Sequence, residues 1–187
     1  MKKVSFFLLG AAFLASSLAF VAPKNPKAPI TLAVQSDKSR VDFIGSKAGD
    51  FHTGTFAVKG GSVQVEGGKL VGGSFVIDLA NLKVTDAAGE RLAGHLKSAD
   101  FFDVAKFGEA TYTISSVDYS SATACTINGT LNIKGVGVPV SFASNIRSAS
   151  EKGLFGQAFF SLDRTLLGIA YAGPSKDVQI AVHLFAK

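Results

Sequence analysis

The chain has 187 residues, a formal net charge of +5, one cysteine, no tryptophan and 16 phenylalanines. That length allows one domain with a substantial core. The lone Cys125 excludes an intrachain disulfide, and the basic residues are scattered rather than clustered, which argues against a nucleic-acid partner.

Two lysines, an apolar run from Val4 to about Leu14 and small residues up to Ala19 have the three-part layout of a signal peptide over residues 1–19. Residues 20–31, with Pro23, Pro26 and Pro29, read as a linker, and residues 32–187 as the mature domain. Cleavage removes Lys2 and Lys3, so the exported domain is only mildly basic.

Short segments rich in Val, Ile, Phe and Thr then recur at spacings of about ten residues, the pattern of an all-β sandwich or barrel. Val41 and Phe43 alternate with polar neighbours, as do Phe56 and Val58, and Gly60-Gly61 is expected to turn the chain. Val63 and Val65 lead to Glu66-Gly67-Gly68-Lys69, a hairpin loop. Phe75, Ile77 and Leu79 form the next apolar face. The rhythm breaks from Asn81 to Phe107, where a short helical or irregular excursion is expected around residues 90–107. Alternation resumes at Tyr112 and Ile114, at Ile127 to Ile133, at Val138 to Phe142, and over Leu154–Leu162 and Val178–Phe185. The total is about eight antiparallel strands, enough for a sandwich or for a barrel that could hold one small ligand. Small residues beside large ones (Gly72, Gly73 and Ser74; Ala143 and Ser144; Gly156 and Ala158) favour a hollow interior.

Nothing in the sequence demands catalysis. His52, His95 and His183 lack a second ligand at metal-binding spacing, so no metal is expected. No G-x-S-x-G context supports a nucleophile, and the double glycines do not lead from a strand into a helix as phosphate loops do. What stands out is "GHLKSADFFDVAKFGEATY" (94–112), which places Phe101, Phe102 and Phe107 among charges in the least regular part of the chain. Such a segment plugs or guards one end of a barrel.

That stretch resembles the hallmark segment of the YceI-like family. Three more stretches agree in order and spacing: "VDFIGSKAGDFHTGTF" (41–56), "GTLNIKGVGVPVSF" (129–142) and "FFSLDRTLLGIAY" (159–171). The resemblance implies a lipocalin-like eight-stranded antiparallel β-barrel that binds a polyisoprenoid or isoprenoid quinone in the periplasm, without catalysis and with the lipid as ligand rather than a cofactor. Two positions depart from the family pattern: Gly108 stands where proline is usual, and Leu167 where an aromatic is common.

On this reading the apolar walls comprise Phe56, Phe75, Ile77, Phe101, Phe102, Tyr112, Ile114, Leu131, Ile133, Phe142 and Phe159. Arg91, His95 and Lys97, and less directly Arg164, are candidates to orient a head group at the mouth. Phe101 and Phe102 are expected to turn inward while Lys97, Asp100 and Asp103 face water. Strand parity underlies the wall assignments, and a one-residue slip would turn a set outward. A filled barrel acting through surface contacts is the alternative. Transient contact with a membrane surface and a homodimer formed by edge pairing are further partners to consider.

Overall fold

The computed structural model describes residues 28–187; the segment read as a signal peptide and most of the segment read as a linker lie outside the described residues. The strands are β1 (Ile30–Ala33), β2 (Arg40–Lys47), β3 (Asp50–Glu66) and β4 (Lys69–Val84), followed by helix α1 (Gly89–Lys97). Then come β5 (Glu109–Tyr119), β6 (Ala124–Ile133), β7 (Val136–Ser150) and β8 (Gly153–Asp163), a 3-10 turn (Arg164–Leu167) and β9 (Pro174–Ala186). β1 begins inside the segment read as linker.

All the pairings are antiparallel, and the sheet closes because β2 pairs with both β3 and β9 while β3 pairs with β4. Nine strands occupy eight positions, since β1 and β2 lie end to end on the same flank of β3: β1 opposite residues 62–65, β2 opposite residues 50–57. The result is the expected eight-stranded barrel.

Two local features explain the long β3. The Gly67-Gly68 turn has φ of 56° and 78°, the left-handed pair that a two-residue hairpin needs. Gly60-Gly61, expected as a turn, instead lies within β3 at an irregularity of its pairing with β4. Gly61 has φ 138°, and a Cβ there would lie 2.2 Å from the Ser74 carbonyl oxygen. Glycine here admits a bulge in a continuous strand rather than ending it.

The strand directions give the barrel two different ends. At one end lie the β3–β4, β5–β6 and β7–β8 turns. There Leu32, Val63, Val65, Leu70, Ile146, Leu154 and Leu184 are buried together, filling the interior. At the other end lie the β2–β3 hairpin, α1 with the segment behind it, the β6–β7 turn and residues 164–173. This end is hollow.

Candidate functional site

The hollow end holds a cavity of about 210 Å³, bounded by Phe43, Phe56, Phe75, Ile77, Tyr112, Leu131, Ile133, Phe142, Phe160 and Leu162 from the barrel wall and roofed by Leu92 and Leu96 of α1, Phe101, Phe102, Leu167 and Ile169. Its polar boundary is confined to the mouth, at Ser46, Lys47, His52, Arg164 and Ser175, apart from the Tyr112 hydroxyl. That hydroxyl donates to the Val140 carbonyl oxygen at 2.9 Å, and burial pushes the Tyr112 pKa up to about 12, so it stays a neutral donor.

Of the wall residues named from sequence, Phe56, Phe75, Ile77, Phe101, Phe102, Tyr112, Leu131, Ile133 and Phe142 all border the cavity. Ile114 does not: it is half-buried and packs against the core farther toward the filled end. Phe159 is a correction. It lies on the outer surface, 66% exposed, and its neighbour Phe160 faces inward. The segment "LFGQAFFSL" carries apolar residues at both parities. The small side chains of Gly156 and Ala158, which disguise the inward set, are buried.

Those small residues are also misread as signs of a lumen. None of Gly72, Gly73, Ser74, Ala143, Ser144, Gly156 or Ala158 borders the cavity. A Cβ on Gly156 would meet Ile146 at 3.2 Å, so that glycine tightens the filled end.

The irregular segment forms the roof. Asp86, just ahead of α1, accepts from the backbone N–H of Ala88 at 2.8 Å and of Thr53 at 2.7 Å, joining the start of α1 to β3. These two N–H groups, Ala88 first, hold its carboxyl below the ordinary range; burial opposes them slightly, and His52 adds to the lowering. Beyond α1, Phe102 N–H donates to the Leu96 carbonyl and Val104 N–H to that of Lys97, both at 3.1 Å. These bonds turn the paired phenylalanines under the helix. Phe101 is 7% exposed, its ring 4.9 Å from that of Tyr171, and Phe102 meets Phe56 edge to face at 5.6 Å. The Lys134 ammonium donates to the Phe101 carbonyl and ties the roof to the β6–β7 turn.

The head-group candidates are placed differently. Arg91 is exposed on α1, and neither it nor Lys97 borders the cavity. His95 sits outside the cavity with Phe101 and Tyr171 each 5.0 Å away edge to face, and with Asp100 at 3.7 Å. Arg164 reaches the cavity, but its guanidinium is committed: Nε donates to Ser175, Nη1 to Ile169, and Nη2 to Tyr171 and Pro174, all backbone carbonyls at 2.6–2.9 Å. It pins residues 164–175 over the mouth. The polar groups that do border the mouth, Lys47 and His52 of the β2–β3 hairpin with Ser46 and Ser175, escaped the sequence reading. Only the likeness of residues 41–56 to a family segment pointed to that hairpin. Among the described residues, no group of three or more His, Cys, Asp or Glu side chains could hold a metal.

The YceI-like domain matches residues 32–186 of the chain. No curated protein sequence matches it significantly. Among solved structures, BcnA of Burkholderia cenocepacia superposes with a TM-score of 0.70 at 19% identity, covering 82% of this chain and 99% of that one. A polyisoprenoid binding domain from Saccharophagus degradans, implicated in plant cell wall breakdown, gives 0.66 at 18% identity, covering 83% and 97%. The YceI protein of Campylobacter jejuni gives 0.51 at 17%, covering 64% and 74%. At these identities the likeness establishes the fold.

Proposed function

The chain belongs to the YceI-like domain family, and from that premise we propose that it binds and carries a long-chain isoprenoid lipid, a polyprenyl chain or an isoprenoid quinone, without chemical change. The observation that carries this reading is the form of the cavity: apolar walls rich in aromatic rings, closed below by a filled core, with polar side chains around the mouth and the Tyr112 hydroxyl tied up on the Val140 carbonyl. Such a site favours a ligand that is apolar along its length and polar at one end. Each buried methylene contributes about 0.8 kcal/mol. Even a chain of roughly four isoprene units therefore has more transfer free energy than a tight complex uses.

On this reading the head group stays at the mouth near Lys47, His52 and Ser175, and the tail lies against Phe56, Phe75, Tyr112 and Phe142. The leader-like N-terminus and the family's location support a periplasmic carrier. The test is mass spectrometry of an organic extract of mature protein purified without detergent from cells that export it. A stoichiometric isoprenoid is expected. A clean extract from protein that also fails to take up added quinone or polyprenyl lipid would favour the surface-acting alternative.

A further inference from the structure

The barrel wall has a gap in its backbone pairing beside the cavity. The β7–β8 ladder runs from Ser150–Gly153 to Ser144–Ala158 and stops; among the described residues, no pairing joins 136–143 to 159–163. Over these stretches both strands remain paired on their other sides, β7 with β6 and β8 with β9. The seam is bounded at one end by the last ladder pair and at the other by the 3-10 turn, which packs on β7. Across it the rings of Phe142 and Phe160 stack at 4.4 Å and 6°, and both border the cavity.

A second seam differs from this one. Pairing between β4 and β5 also ends short, at Gly73–Ile114. That seam lies toward the filled end, and a hydrogen bond bridges it, Leu70 N–H to the Tyr119 hydroxyl at 2.8 Å. The β7–β8 seam has a cavity behind it and two apolar rings across it. Large apolar side chains stand exposed outside: Phe159 on β8, and Leu166, 58% exposed, in the 3-10 turn at its upper end.

We infer that the seam between β7 and β8 is a lateral portal through which an isoprenoid chain slides into the cavity from a lipid surface, with Phe142 and Phe160 as its gate. The inference rests on the carrier reading above and adds the route. Opening this seam asks two rings to rotate, whereas opening any paired stretch breaks ladder hydrogen bonds. The roof above is fastened by Arg164, by Asp86 and by the Lys134 bond to Phe101, which leaves the polar-rimmed mouth as the route in from the end. A chain passing sideways moves from the lipid surface into the apolar lumen without crossing the polar rim of the mouth.

The test bridges the seam on the outside. Ser141 and Ser161 are both exposed and face each other when the β7–β8 register is extended beyond Ser144–Ala158. Ser141→Cys with Ser161→Cys, in a Cys125→Ala background, is bridged with a short bis-maleimide. Uptake of geranylgeraniol from phosphatidylcholine vesicles is then followed against the unbridged protein. A control bridges Thr126→Cys to Ala143→Cys, a pair already opposed in the β6–β7 ladder. Bridging the seam is expected to slow uptake by roughly tenfold or more while final occupancy is unchanged, and the control is expected to keep the normal rate. An unchanged rate in the bridged protein, or equal slowing in the control, would overturn the portal and leave the carrier reading standing. Absence of uptake by the unbridged protein would overturn both.

Discussion

The Tyr112 hydroxyl on β5 reaches over β6 to the Val140 carbonyl on β7, at 2.9 Å, because Gly129 of β6 has no side chain in the way. A Cβ at Gly129 would lie 2.6 Å from the Tyr112 ring and 2.4 Å from the Thr113 carbonyl oxygen. Tyr112→Phe is therefore expected to cost about 1 kcal/mol in denaturant unfolding with little change in cavity shape. Gly129→Val should cost more, because it displaces the ring as well as the hydrogen bond. Equal stability of the two variants would disprove the steric coupling.

Phe101 and Phe102 both border the cavity from the roof. Replacing both with alanine is expected to lower lipid retention by roughly tenfold, about 1.4 kcal/mol. The far-ultraviolet circular dichroism should keep its β signature, since the barrel closes without them. Unchanged retention would remove them from the site.

Arg164 is 8% exposed and donates to four backbone carbonyls. Arg164→Met should leave those carbonyls short of donors and destabilise the protein by roughly 2–3 kcal/mol. The faster amide exchange should be confined to residues 164–175. Arg164→Lys should recover only part, because a single ammonium cannot fork to four acceptors.

Acid should loosen the roof through Asp86. Its folded-state pKa lies below the ordinary value of 3.8, so its contribution is fully present above that value and is lost as pH falls through the lower, folded one. Asp86→Asn should accordingly be less stable than the parent at neutral pH, and the gap should narrow in strong acid. A gap that does not depend on pH would show that the backbone bonds survive without the charge.

Phe159 offers a check on strand parity. With its ring on the outer surface, Phe159→Ser is expected to change stability by no more than about 0.5 kcal/mol and equilibrium lipid retention not at all. A loss comparable to that of the roof variant would mean that β8 presents its other face to the lumen.

The barrel was legible because alternation is a direct imprint of a half-buried strand, and Val41, Phe43, Phe75, Ile77, Leu131 and Ile133 carry it cleanly. It failed at Phe159-Phe160, where adjacent aromatics satisfy both parities. The double glycines misled for a related reason: Gly60-Gly61 permits a bulge as readily as a turn, and which occurs depends on how β4 packs against it. Charges near a motif were a poor guide to the mouth. Arg164 lies close in space but is used up on backbone carbonyls, and the groups beside the opening come from the β2–β3 hairpin and the start of β9, which only the closed topology brings together.

The filled lower half and the hollow upper half divide the molecule's work. Leu32, Val63, Leu70 and Leu154 can hold the barrel shut while residues around the lumen change shape and polarity. Native-state amide exchange should therefore be slowest in the lower strands and faster toward the roof. A binding specificity could drift over evolutionary time within such a barrel, because substitutions that reshape the lumen need not be matched by repacking below.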